Sequence, residues 1–152
     1  MRPHCLVFAL VLSTVTRPAQ ASDFSTPEAA LHEHQVAWAN RDIDRFLFTI
    51  SFRQEAIEAL HGKSSTDETL DETAIQALAL ERQNELRRRL ATMGFKPDYL
   101  ASCKIIKRWP VSEFEVRLPL YCTDRNGSMF FAIRLVRTQD GWRVVRGQTV
   151  TR

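Results

Sequence analysis

Two histidines, three acidic residues and a tryptophan share the stretch LHEHQVAWANRDIDRF, residues 31 to 46. Imidazoles and carboxylates are the groups that hold metal ions and move protons near neutral pH. Spacing decides whether they can act together. His32 and His34 are two apart, so on a helix they point about 200° from each other, whereas helical chelation needs separations of three or four. Four residues on stand Val36 and Trp38, and neither is a ligand. His61 could join only through tertiary folding. No metal site is expected, and no cofactor is implied.

The helical period separates the two histidines by face. Ala30, Leu31, His34, Ala37 and Trp38 fall in one arc, which turns His34 inward and His32 outward. An inward imidazole is either a hydrogen-bonded core residue or a general base at a pocket. Arg87-Arg88-Arg89 closes a helix and complements its negative pole. It lacks the interleaved aromatic residues that stack on bases, so nucleic acid is not expected as a partner. Lys107 and Arg146 are in register with apolar neighbours, either to meet an anion at a cavity mouth or to reach solvent at strand ends. There is no phosphate-binding glycine loop, no G-x-S-x-G elbow and no H-E-x-x-H. No carboxylate stands within an inward apolar row, and Asp42 and Asp44 are accounted for by capping and solvation.

The elements that must position these residues change character once, near Gly94-Phe95-Lys96-Pro97. Before it the apolar period is helical; after it the chain alternates. Thr26, Pro27 and Glu28 open a first helix that closes at Asn40, a residue suited to the left-handed conformation. Asp42 caps a second, with Ile43, Phe46, Leu47 and Ile50 on one stripe, and Phe52 to Leu60 reads as a third. Ser65-Thr66-Asp67-Glu68 and Thr69-Leu70-Asp71-Glu72 both have capping-box form ahead of a long helix ending at Gly94. Four strands follow: Ser102 to Trp109, Glu113 to Thr123, Ser128 to Arg137 and Trp142 to Val150. Asp124-Arg125-Asn126-Gly127 and Gln139-Asp140-Gly141 supply turns. The expected fold class is α+β, with N-terminal helices packed on a four-stranded antiparallel meander.

Residues 1 to 21 have the form of an export signal: Arg2, the apolar run Cys5 to Val15, and Ala19-Gln20-Ala21 as a cleavage pattern. The run is too short to cross a bilayer, which takes about 20 residues. Residues 22 to 152 then form a single domain, periplasmic or secreted. Without the leader there are 19 basic and 18 acidic residues, too even a balance for general nucleic-acid binding. The distribution is nonetheless lopsided: a net −8 from Asp23 to Glu85 and +9 from Leu86 to Arg152. Either the two halves attract one another, or the asymmetry orients an anionic ligand or a partner. Cys103 and Cys122 remain as an even pair, which in an exported domain reads as a disulfide, the alternative being buried free thiols. Their midpoint falls in the Pro110 to Glu113 turn, so both sulfurs meet across a hairpin on its buried side; the bond adds about 3 kcal/mol.

The segment TPEAALHEHQVAWANRDIDRFLFTIS resembles the opening of small exported bacterial members of the nuclear transport factor 2-like, or cystatin-like, superfamily. MFFAIRLVRTQDGWRVV, residues 129 to 145, is similar to their final hairpin. The resemblance implies a curved sheet wrapping helices around a conical apolar pocket, with Leu31, His34, Trp38, Trp109, Phe131, Trp142 and Arg146 as candidates to line it. Relatives include ketosteroid isomerases, dehydratases and polyketide cyclases, beside many non-catalytic binding domains. Their enzymes place an aspartate or histidine in the pocket; here His34 alone matches by position. The long Ser65 to Met93 segment also exceeds the usual insertion. The favoured expectation is therefore a non-enzymatic exported module binding a small apolar ligand or a protein partner. The alternative is a pocket enzyme of isomerase or lyase type, dehydratase- or cyclase-like, with His34 as base. Tyr121 and Phe130 on the exposed sheet face suit a homodimer or partner surface.

Overall fold

The structure, a computed structural model, describes residues 22–62, 70–95, 102–124 and 127–146. The expected leader, the first of the two capping boxes and the last residues of the expected final strand lie outside these.

Among the described residues four helices come first: α1 (Pro27–Ala39), α2 (Ile43–Phe48), α3 (Phe52–His61) and α4 (Glu72–Met93). Side-chain oxygens satisfy the free N–H groups at each start: Thr26 accepts from Ala29, Asp42 from Arg45, Ser51 from Gln54, and Asp71 from Thr73 and Ala74. Gly94, at φ +70°, closes α4. The end of α1 corrects the expectation for Asn40, which keeps right-handed geometry while Arg41 takes φ +57°. The Arg41 N–H donates to the Trp38 carbonyl and the Asp42 N–H to that of Ala37. That pairing places the left-handed residue one position beyond the cap.

Five strands among the described residues form one open antiparallel sheet: β1 (Lys104–Ile105), β2 (Trp109–Pro110), β3 (Glu115–Asp124), β4 (Gly127–Thr138) and β5 (Gly141–Val145). The α+β class with helices ahead of the sheet is as expected, and the first expected strand is divided into β1 and β2, both paired to β3. Ile105 opposes Leu120, but Trp109 opposes Arg117, so one extra residue is taken up between them. A one-residue slip turns every later side chain to the other face.

On β3 the fully buried face carries Val116, Leu118, Leu120 and Cys122, paired across to Leu135, Ile133, Phe131 and Met129 of β4. Ala30 and Leu31 of α1 pack on this core face with Phe24, Trp142 and Val144. A second cluster lies among the helices, where Ala37, Phe46, Leu47, Phe52, Leu90 and Phe95 meet. Cys103 and Cys122 are joined by a disulfide. The free edge of β5 is covered: Ser51 N–H donates to the Val144 carbonyl, Val144 N–H to Thr49, and Trp142 N–H to Phe24. Among the described residues no helix is long and apolar enough to cross a membrane.

Candidate functional site

His34 lies inward on α1, 3% exposed, its ring 4.4 Å from that of Phe46. Its Nδ1 is 2.5 Å from the Thr49 hydroxyl, which itself donates to the Phe46 carbonyl at 2.6 Å. Because the hydroxyl proton is committed there, its oxygen accepts from His34, and Nδ1 carries the imidazole proton. Burial, reinforced by the nearby Arg146 cation, pushes the His34 pKa down to about 3. The ring is neutral at any physiological pH. His32 is exposed.

Arg146 is partly exposed just beyond β5, but its guanidinium is not free. It closes on Glu55 of α3, whose side chain is nearly inaccessible: Nε donates to Oε1 at 3.0 Å, Nη2 to Oε2 at 2.8 Å, and the Arg146 backbone N–H to Oε1 at 2.9 Å. Arg82 of α4 stands 3.9 Å away. Glu33 is buried too, held by Arg45 at 2.6 Å. The expectation that no carboxylate points inward is therefore corrected. Each buried carboxylate has an arginine forked onto it, the arrangement that offsets the cost of burying charge. The Glu55 partner is 91 residues away, and no local pattern reveals it.

The remaining pocket candidates separate. Leu31 and Trp142 are buried in the core-face cluster, with Phe131 packed against it. Trp38 belongs to the helical cluster, edge-on to Phe46 and Phe95. Trp109 is 49% exposed on the face opposite the core, because the register slip before β2 turned it over. It cannot share a pocket with Trp142. Tyr121 and Phe130 stack at 4.7 Å on that same opposite face. Among the described residues no three potential metal ligands gather.

A concavity formed by described residues lies elsewhere. A groove of about 1020 Å³ runs between α3, α4 and the β4–β5 turn, and none of the seven candidates lines it. Val136 and Arg143 line its sheet side, paired on the face opposite Leu135 and Val144. Phe48 and Phe114, 59% and 62% exposed, and the more buried Phe52 add aromatic surface. Arg53 lines it while forked onto Glu72. Arg143 is 6% exposed, its guanidinium carbon 3.8 Å from the centre of the Phe24 ring and 4.9 Å from that of Phe48. Its Nη1 donates to the Trp142 carbonyl at 2.9 Å. Burial lowers its pKa, an effect opposed by Asp140. The sequence marked none of this as a site. Its parts come from four separated segments, and alternation alone would have shown only that Arg143 faces away from Val144.

No family model matches the chain, and no curated protein does. Three solved structures do. A nuclear transport factor 2-like protein from Campylobacter jejuni, named as a candidate transpeptidase, aligns with a TM-score of 0.42 at 8% identity, over 80% of this chain and 100% of that one. A cystatin-like protein from Ruminococcus gnavus aligns with a TM-score of 0.42 at 16% identity, over 79% of this chain and 36% of that one. A nuclear transport factor 2-like protein of unknown function from Shewanella oneidensis aligns at 0.36 and 12%, over 76% and 88%. All three bear the family names that the sequence motifs suggest, and at these values no residue role is carried across.

Proposed function

We propose that this chain is an exported, non-catalytic binding module whose site is the groove between α3, α4 and the β4–β5 turn. The contrast between His34 and that groove carries the reading. His34, on which any catalytic role would rest, is sealed against Phe46 and Thr49, and an imidazole with a pKa of about 3 is a feeble base near neutrality. The groove is open, and combines exposed aromatic rings with a few charged groups, the character of a small-molecule site.

Export is supported by the disulfide, a bond that persists in oxidising compartments. Cleavage after Ala21 would leave Phe24, the first buried side chain among the described residues, as the third residue of the mature chain. The leader would then carry away nothing that these contacts use.

Native mass spectrometry of material expressed with its leader in a bacterial host tests the whole reading. The expected species begins at Ser22, contains one disulfide and retains a small molecule on a monomer. A chain still carrying its leader would overturn export. A ligand-free homodimer or protein complex would move the site to the Tyr121 and Phe130 face. An isomerase- or lyase-type enzyme would instead lose turnover in His34→Gln while keeping its fold; this reading expects that exchange to change stability alone.

A further inference from the structure

The groove contains one deeply buried charge without an ion-pair partner among the described residues. Arg143 lies more than nine-tenths buried, yet no carboxylate comes within ion-pair distance of it among the described residues. Every other deeply buried ionised group described here has such a partner: Glu33 has Arg45, and Glu55 has Arg146. Of the five N–H donors that a guanidinium offers, one goes to the Trp142 carbonyl, and no other hydrogen bond from this side chain falls among the described residues. Stacking against Phe24 and Phe48 stabilises the cation in place without using its edge donors. Its unpaired edge donors are not among the buried unsatisfied atoms, so they open onto the groove, where an anion can reach them.

Its surroundings state what kind of anion. Phe48 and Phe114 leave well over half of their surface open beside it, too much apolar area for a bare inorganic ion to use. Arg137, exposed on the turn side of the same groove, also has no hydrogen-bonding or ionic side-chain partner among the described residues. The acidic groups there are committed or offset: Glu72 is forked by Arg53, and the charge of Asp140, on the turn, acts on Arg143. We propose that the groove binds amphipathic carboxylates, the carboxylate accepting hydrogen bonds from Arg143 with Arg137 at the mouth, and the apolar body lying against Phe48 and Phe114. This deepens the binding-module reading by naming its ligand class, and rests on it.

Calorimetric titration of the exported mature protein with decanoate and with decylammonium tests the assignment, because the two probes share a tail and differ in the sign of the head. Decanoate should bind at least about tenfold more tightly, since a charge-assisted pair on a guanidinium backed by aromatic rings contributes about 1.4 kcal/mol or more. Arg143→Gln should remove that preference, with thermal unfolding confirming the fold. Arg137→Gln, at an exposed and unpaired position, provides a variant that keeps its stability and should weaken decanoate by about threefold. Equal affinity for both probes, or unchanged decanoate affinity in both variants, overturns the proposal. If decanoate fails while the native mass spectrum still shows a retained small molecule, the ligand class falls and the binding-module reading stands. If neither binds and nothing is retained, both fall.

Discussion

An imidazole that donates its Nδ1 proton to Thr49 and lies on Phe46 has its charge state set by its surroundings. With a pKa of about 3 in the fold and about 6.5 in an unfolded chain, His34 binds its proton only after unfolding throughout that interval. The unfolded state therefore gains protons first as pH falls, and stability that is complete above pH 6.5 drains away toward pH 3. Between pH 7 and pH 5 the expected loss is about 2 kcal/mol, read as a fall in the urea midpoint. His34→Gln, whose amide can still donate to Thr49, should flatten that slope even if it lowers stability at pH 7. An unchanged slope would mean that His34 titrates normally and is not sealed. The inward turn of this residue was legible from helical period alone. The pairing of Glu55 with Arg146 was not, because it joins residues whose neighbours in sequence say nothing of each other.

Elements were legible where a local rule dictates them. Caps at Thr26 and Asp42 and the stop at Gly94 follow from which side chains can bond free N–H groups or adopt positive φ. The fate of Trp109 was hidden, since the slip that turned it outward changes pairing without changing alternation within either piece. The β4–β5 turn shows a local rule and a tertiary constraint at one residue. Gly141 sits at φ +102°, and a Cβ there would lie 2.5 Å from the Phe24 carbonyl oxygen, which accepts the Trp142 N–H. Gly141→Ala therefore strains the backbone and pushes away the strand-edge segment, at an expected cost of about 2 to 4 kcal/mol. Gly62→Ala is the comparison: its φ is −67° and a Cβ would meet only ordinary contacts, so its effect should lie within about 1 kcal/mol of zero. Thermal unfolding of the two variants side by side checks this, and equal midpoints would contradict the close approach of Phe24.

At the scale of the molecule, the acidic first half and basic second half meet, among the described residues, through four ion pairs: Arg87 with Asp44, Arg108 with Glu28, Arg134 with Glu58, and Arg146 with Glu55. The lopsided charge visible in the sequence thus serves to hold helices against the sheet region in three of these pairs, and α4 against α2 in the pair of Arg87 with Asp44. Opposing them is repulsion within each half, which carries −8 or +9. Salt separates the two effects because it screens both, and their difference sets the sign. Pairs as exposed as Arg87 with Asp44 contribute about 0 to 1 kcal/mol each and are largely screened at high ionic strength. Glu55, nearly inaccessible, keeps its arginine. Raising sodium chloride from about 0.05 to 0.5 M should therefore lower the urea midpoint by an amount equivalent to about 1 kcal/mol, without unfolding the protein. Glu58→Gln, which removes the cross-half partner of Arg134, should reduce that salt dependence. A midpoint that rises with salt would show that repulsion within the halves outweighs their attraction. The charge asymmetry would then have to answer to something outside the chain, and an anionic ligand at the basic half becomes its counterweight.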